Sequence, residues 1–222
     1  MFYTIDIMKG VIVDLDGVLA DSKPMPYEAW KIVFSEAVNI DVDERTIYLL
    51  EGMRGMELVK NNLGQTGPKR FDESSVKERV NISGKDLVSN LLNELVSNLR
   101  CRKAVVSRSS KNDAESILGQ AIGFGKEKFD VMITADEVTK GKPDPSSLLS
   151  AMEKLKLKKT GSIVGENAPL GVETANRAGI PCIVVLNNTP LGALDFKPCV
   201  SGERILKPTE LAFNFLQKWC NE

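Results

Sequence analysis

Two aspartates two residues apart, Asp14 and Asp16, close the apolar run Val11-Ile12-Val13 and are followed by Gly17 and an Asp21-Ser22 exit. A β-branched run without polar alternation reads as a strand buried on both faces. The acids then stand at its C-terminal edge, where paired carboxylates are costly without a cation or a substrate to use them. Gly17 permits a turn that other residues resist. Asp14 can therefore sit low as a nucleophile, with Asp16 beside it as a general acid or base. A like charge nearby raises one of the two pKa values, which suits an acid working near neutral pH.

Three later segments carry groups that could serve such a pair. Ala104-Val105-Val106-Ser107 reads as a strand ending in a hydroxyl, followed by Arg108-Ser109-Ser110-Lys111. The plain reading of that turn is an N-cap for a helix over 114–118, with Lys111 a solvated residue at the helix start. In Lys140-Gly141-Lys142-Pro143-Asp144-Pro145, Asp144 suits an N-cap and Pro145 the first helical position. Leu148, Leu149, Met152 and Leu155 mark the buried face of the helix that follows. Lys142 precedes a proline, which pushes its backbone towards extended conformations and limits where its amine points. A surface lysine is the plain alternative. In Ser162-Ile163-Val164-Gly165-Glu166-Asn167, a strand runs into a polar loop holding one carboxylate and one amide.

The elements that must position these groups are legible. Apolar runs at 10–14, 103–107, 130–134, 161–165 and 181–186 alternate, after the first, with amphipathic helical stretches. That pattern predicts an α/β fold, a Rossmann-like parallel sheet with helices on both faces. Between the first two runs, residues 27–40, 44–51, 55–63 and 71–80 read as helices, broken by Gly64, Gly67 and Pro68. An all-helical insert there predicts a cap domain at 21–85 on a core of 1–20 and 86–222, with 86–99 a core helix. Ligands of open parallel sheets gather at strand C-terminal ends. Asp14, Asp16, Ser107, Lys142, Glu166 and Asn167 all fall at such ends. In the cap, Glu51-Gly52-Met53-Arg54-Gly55 brackets an arginine with glycines. Arg54 suits a substrate carboxylate or second phosphate, or is a surface residue of a helix–helix turn.

Composition narrows the chemistry. The chain has 222 residues, a formal net charge of -1 and no histidine. The absence of histidine removes Ser-His-Asp and Cys-His catalysis and most catalytic zinc sites, so acid–base work falls to carboxylates, Lys, Tyr or Cys. The balanced charge marks neither a nucleic-acid nor an acidic-membrane binder. No run could span a bilayer. Cys101, Cys182, Cys199 and Cys220 lie far apart without Cys-x-x-Cys spacing. They read as reduced thiols of a cytoplasmic protein.

Asp14-Leu15-Asp16-Gly17-Val18-Leu19-Ala20-Asp21-Ser22 resembles the first motif of the haloacid dehalogenase superfamily. The three later segments resemble its second, third and fourth motifs in order. The resemblance implies a phosphatase of the capped, β-phosphoglucomutase-like group, acting on a small phosphorylated metabolite such as phosphoglycolate or a sugar phosphate. It implies that Asp14 is the nucleophile and Asp16 the general acid. Ser107 would bind the transferring phosphoryl group, with Ser109 and Lys111 nearby, and Lys142 would offset charge. It also implies Mg²⁺ carried by Asp14, Asp16 through its carbonyl, Glu166 and Asn167. Many relatives have Glu-Asp where this chain has Glu166-Asn167, so one carboxylate is missing, although Mg²⁺ accepts neutral oxygen and keeps several waters. Dehalogenase and phosphonate-cleaving branches lack the second Asp. A phosphomutase on the same core, and a non-catalytic binding protein that kept the fold, are the alternatives.

Overall fold

The computed structural model describes residues 8–20, 31, 35, 42–53, 98–122, 126–186, 189–198 and 205–221. The expected cap helices over 27–40, 55–63 and 71–80, the bulk of 86–99, and Arg54 lie outside the described residues. The described elements are β1 (Gly10–Asp14), α1 (Glu44–Leu49), β2 (Arg102–Val106), α2 (Lys111–Ile122), β3 (Val131–Ile133), α3 (Ser146–Leu155), β4 (Ser162–Glu166), α4 (Pro169–Ala178), β5 (Cys182–Leu186), β6 (Ile205–Pro208) and α5 (Thr209–Asn221).

All six strands are parallel, in the order β3-β2-β1-β4-β5-β6. Chain order reverses between β1 and β4, so the crevice at a doubly wound sheet's switch point opens over their C-terminal ends. Register sets the level: Val13 pairs with Gly165 and Asp14 with Val106. Asp14 and Glu166, each one residue further on, leave neighbouring strands side by side.

Alternation along the strands sorts the core into two layers. Val11, Val13, Val105, Ile163, Ile183 and Val185 pack on one face with Ala114 and Leu118 of α2 and Phe213 and Leu216 of α5. Ile12, Ala104, Val106, Val164 and Val184 face the other way, onto Leu148, Met152 and Leu155 of α3 and Val172 and Ala175 of α4. Both sheet faces are thereby covered, which is why the strands read as unbroken apolar runs.

Several expectations are corrected. Leu149 is exposed on α3, since the apolar stripe is narrower than four leucine-sized positions. The N-cap of α3 is Pro145, not Asp144. The Asp144 carboxylate instead accepts from the Ser146 amide at 3.0 Å, in the two-residue reach of an Asx turn. The helix expected over 114–118 starts at Lys111, with Ser110 Oγ accepting from the Asp113 amide at 3.3 Å. The reading of all cysteines as reduced thiols is also overturned. Cys101, just before β2, and Cys220, in the last turn of α5, form a disulfide with Cα atoms 5.2 Å apart. They are 119 residues apart in sequence, and only the return of α5 along the sheet brings them together. Lys9 marks the same docking, its Nζ donating to the Trp219 carbonyl at 3.0 Å. Cys182 is buried and outside the disulfide. Among the described residues, no helix is long and apolar enough to cross a membrane.

Candidate active site

The turn after β1 is fixed by backbone hydrogen bonds and by its own apolar residues. The Leu15 amide donates to the Val106 carbonyl at 3.2 Å, Gly17 to Ala20 at 2.7 Å and Ala20 to Leu15 at 2.9 Å. Gly17 takes a positive φ of 75°, which a side chain would oppose. Leu15, Val18 and Leu19 are buried in the core layer beneath. Asp14 is thus held 7% exposed at the strand end, and Asp16 stands half-buried one step above it. Ser107, at the end of β2, donates from Oγ to Asp16 Oδ2 at 3.4 Å. The Ser109 amide donates to that same Oγ at 3.1 Å, which orients the hydroxyl.

Lys142 enters from the loop after β3 and is buried. Its ammonium donates to Asp14 Oδ1 at 2.9 Å and to Glu166 Oε1. Glu166 is 2% exposed, and its Oε2 accepts from the Asn167 amide at 3.2 Å. Space for that carboxylate comes from α4: a Cβ at Gly171 would lie 2.1 Å from the Glu166 carboxylate. Burial pushes the Asp14 carboxyl up to about 7; the Lys142 ammonium opposes this, while Glu166 and Asp16 add to it. Burial alone would lower Lys142, but the Asp14 and Glu166 carboxylates outweigh it and hold the ammonium above its ordinary range.

The expected site residues therefore divide. Asp14, Asp16, Ser107, Lys142, Glu166 and Asn167 come together at the switch point. Ser109 joins through its backbone. Lys111 is exposed at the start of α2, with its amide on Asp136 at 2.7 Å. One neighbour was not foreseen: Glu51, at the exit of α1, accepts from Asn167 Nδ2 at 3.4 Å. A spacing of 116 residues hides it. Its one sequence signal is an acid directly before the Gly52-Met53-Arg54-Gly55 turn. A cavity of about 710 Å³ lies at the opposite edge of the sheet, by Lys9, Arg102 and the Cys101–Cys220 bridge, far from these groups.

The charge balance fits a divalent cation. Among the described residues, Asp14 and Glu166 share the Lys142 ammonium with Asp16 close by, and although burial is the main push on Asp14, the Glu166 and Asp16 carboxylates add to it, a charge that a cation would offset. Every available donor is a hard oxygen, the preference of Mg²⁺. As they stand, no three acidic or thiol side chains among the described residues form one coordination cluster. The Lys142 ammonium bridges Asp14 and Glu166 instead.

The family profile of the haloacid dehalogenase-like hydrolases matches residues 11–185. The chain belongs to the haloacid dehalogenase-like hydrolases. Within that family it is 30% identical over 183 residues to validoxylamine A 7'-phosphate phosphatase of Streptomyces hygroscopicus subsp. limoneus, covering 79% of this chain and 84% of that one. It is 30% identical over 186 residues to a phosphorylated carbohydrates phosphatase of Thermotoga maritima, covering 78% and 82%. The solved structure of a putative β-phosphoglucomutase from Thermotoga maritima superposes with a TM-score of 0.66 at 26% identity, covering 95% of this chain and 99% of that one. The doubly wound core of this haloacid dehalogenase-like hydrolase thus has counterparts among both phosphatases and phosphomutases.

Proposed function

We propose that this hydrolase removes phosphate from a small phosphorylated metabolite of the sugar-phosphate type, through a covalent aspartyl-phosphate. The observation that carries the reading is Asp14: a buried carboxylate at the switch point, bonded to the Lys142 ammonium and held beside Glu166. Asp14 attacks phosphorus in line with the departing alkoxide, and Asp16 gives that oxygen its proton. Asp16 then takes a proton from the water that opens the acyl-phosphate, and Asp14 is regenerated. Ser107 and Lys142 hold the phosphoryl oxygens and offset their charge. Mg²⁺, held by Asp14, the Asp16 carbonyl, Glu166 and Asn167, would supply further positive charge where two anions meet.

In this reading 1–20 and 86–222 form the catalytic core and 21–85 the helical cap that closes over it and selects the substrate. Arg54, Ser109 and Lys111 are its proposed substrate contacts. Support for a cap seated on the core comes from α1: Tyr48 is buried in the layer formed by Ile12, Val106 and Leu148. The test is a panel of phosphorylated metabolites with Mg²⁺, scoring free phosphate, alongside Asp14→Asn. Phosphate release that Asp14→Asn abolishes supports the reading, and an active Asp14→Asn protein ends the nucleophile assignment. The likeness to a putative phosphomutase motivates a second arm. Sugar monophosphates with a bisphosphate primer would give isomerised sugar with little free phosphate if the group is returned to the substrate.

A further inference from the structure

The Glu51–Asn167 contact joins the exit of α1 to the acidic loop after β4, and its chemistry is directional. A carboxylate accepts hydrogen bonds and, when ionised, cannot donate them. Glu51 therefore selects one orientation of the Asn167 amide, with Nδ2 towards itself at 3.4 Å and the acceptor Oδ1 on the other prong. Asn167 is 1% exposed, so the choice is made in a site where solvent does not compensate the wrong orientation.

The position of Glu51 is built by the fold. Asp43 caps α1, accepting from the Thr46 amide at 2.9 Å. Ile47 and Tyr48 are buried, and Arg45 pairs with Asp195. The Glu51 amide closes the helix end on the Tyr48 carbonyl at 3.3 Å. Gly52 follows with a φ of 96°, and a Cβ there would lie 2.7 Å from Lys142 Cδ. The chain next to Glu51 thus lies directly on the buried lysine.

We propose that Glu51 is a positioning residue: it turns Asn167 so that a neutral amide serves as an oxygen ligand, and it does so from the segment that docks on the core. An aspartate at 167 would place two carboxylates at this contact, so Glu51 suits asparagine and opposes the acid. The inference rests on the Mg²⁺-dependent reading above.

The test is a double-mutant cycle on Mg²⁺ affinity. Calorimetric titrations with the metal alone would compare wild type, Glu51→Gln, Asn167→Asp and the double variant, with melts in EDTA confirming that all four fold. Glu51→Gln keeps the shape but lets either amide orientation form, and is expected to weaken Mg²⁺ binding about tenfold, the size of a lost charge-assisted hydrogen bond. Asn167→Asp should tighten binding at least about fivefold more in the Glu51→Gln background than in the wild type, because a carboxylate at 167 presents an oxygen in either orientation and does not need Glu51 to turn it. Effects that simply multiply, or a Glu51→Gln affinity within about twofold of wild type, overturn the proposal; if the wild type still binds Mg²⁺ and releases phosphate, the functional reading survives it. A folded wild type that binds no Mg²⁺ overturns both. Glu51→Ala, which removes the acceptor altogether, must weaken binding at least as much as Glu51→Gln, and a weaker effect also overturns the assignment.

Discussion

Replacing Lys142 by Met removes the ammonium while keeping an unbranched side chain of similar length, and the structure sets the size of the effect. Asp14 and Glu166 are 7% and 2% exposed and share this cation. Breaking a buried pair by removing one partner costs about 3–5 kcal/mol, because a charge is left uncompensated. The protein can relieve that cost by taking up a proton. Burial already lifts the Asp14 carboxyl from 3.8 to about 7 with Lys142 opposing the rise, so the variant must hold its proton more tightly still. The sign follows from linkage. A carboxyl whose folded value is raised contributes stability that is complete below its unfolded value and fades as pH rises towards the folded one. For wild-type Asp14 that window runs from pH 3.8 to about 7, worth roughly 4 kcal/mol at 1.36 kcal/mol per unit.

The Lys142→Met deficit should therefore be smallest in acid and grow towards pH 8. Urea unfolding in EDTA at pH 5 and pH 8 measures it directly. We expect a loss of about 3–5 kcal/mol at pH 8 and about 1–2 kcal/mol less at pH 5, where Asp14 is protonated in both proteins. Lys142 itself contributes evenly across this range, since its raised value keeps it charged well above its ordinary 10.5. Phosphate release at pH 7 should fall about 10²–10³-fold, the usual effect of removing a charge aimed at the transition state. A stability loss equal at both pH values, or activity within about threefold of wild type, would refute the charge balance argued for the site.

Two further outcomes follow from single contacts. Gly171→Ala places a methyl where the Glu166 carboxylate stands, 2.1 Å away; phosphate release should fall at least about tenfold. Its melting temperature should fall as well, because alanine's helix preference of about 1 kcal/mol offsets only part of the cost of displacing a buried ion pair, and full activity would show that Glu166 can move without consequence. Cys101→Ser removes a bridge closing 119 residues and should lower stability by up to about 5 kcal/mol with turnover at 25 °C unchanged. Reduced wild type should melt like the variant, and a melting curve indifferent to dithiothreitol would exclude the bridge.

The sheet was legible because its strands are buried on both faces, so β-branched runs such as Val11-Ile12-Val13 and Cys182-Ile183-Val184 carry the signal without competition. The site acids were legible for the same reason: a carboxylate ending such a run has few structural uses. β6 was missed because Ile205-Leu206-Lys207-Pro208 is short and contains a lysine and a proline, the residues that edge strands tolerate. Leu149 and Asp144 show the limit of local pattern, since a shift of one position along a helix changes which face is buried. The Cys101–Cys220 bridge and the Glu51–Asn167 contact are set by tertiary return over more than a hundred residues. Spacing alone carries no trace of either.

The site separates groups held by strands from groups held by loops, and that division orders the predictions. Asp14 and Glu166 end adjacent paired strands, so their separation is fixed by the ladder and resists change short of unfolding the sheet. Lys142 and Glu51 arrive on connections: Lys142 places charge against the strand-borne Asp14 and Glu166, and Glu51 against Asn167, one residue past β4. Substitutions at the strand ends should remove the reaction without altering its pH dependence in the residual fraction. Substitutions on the loops should instead shift the conditions, pH for Lys142 and Mg²⁺ concentration for Glu51, under which Asp14, the proposed nucleophile, works. A fold built this way can vary its loops, including the Asn167 amide opposite Glu51, while Asp14, the proposed nucleophile, stays where the sheet puts it.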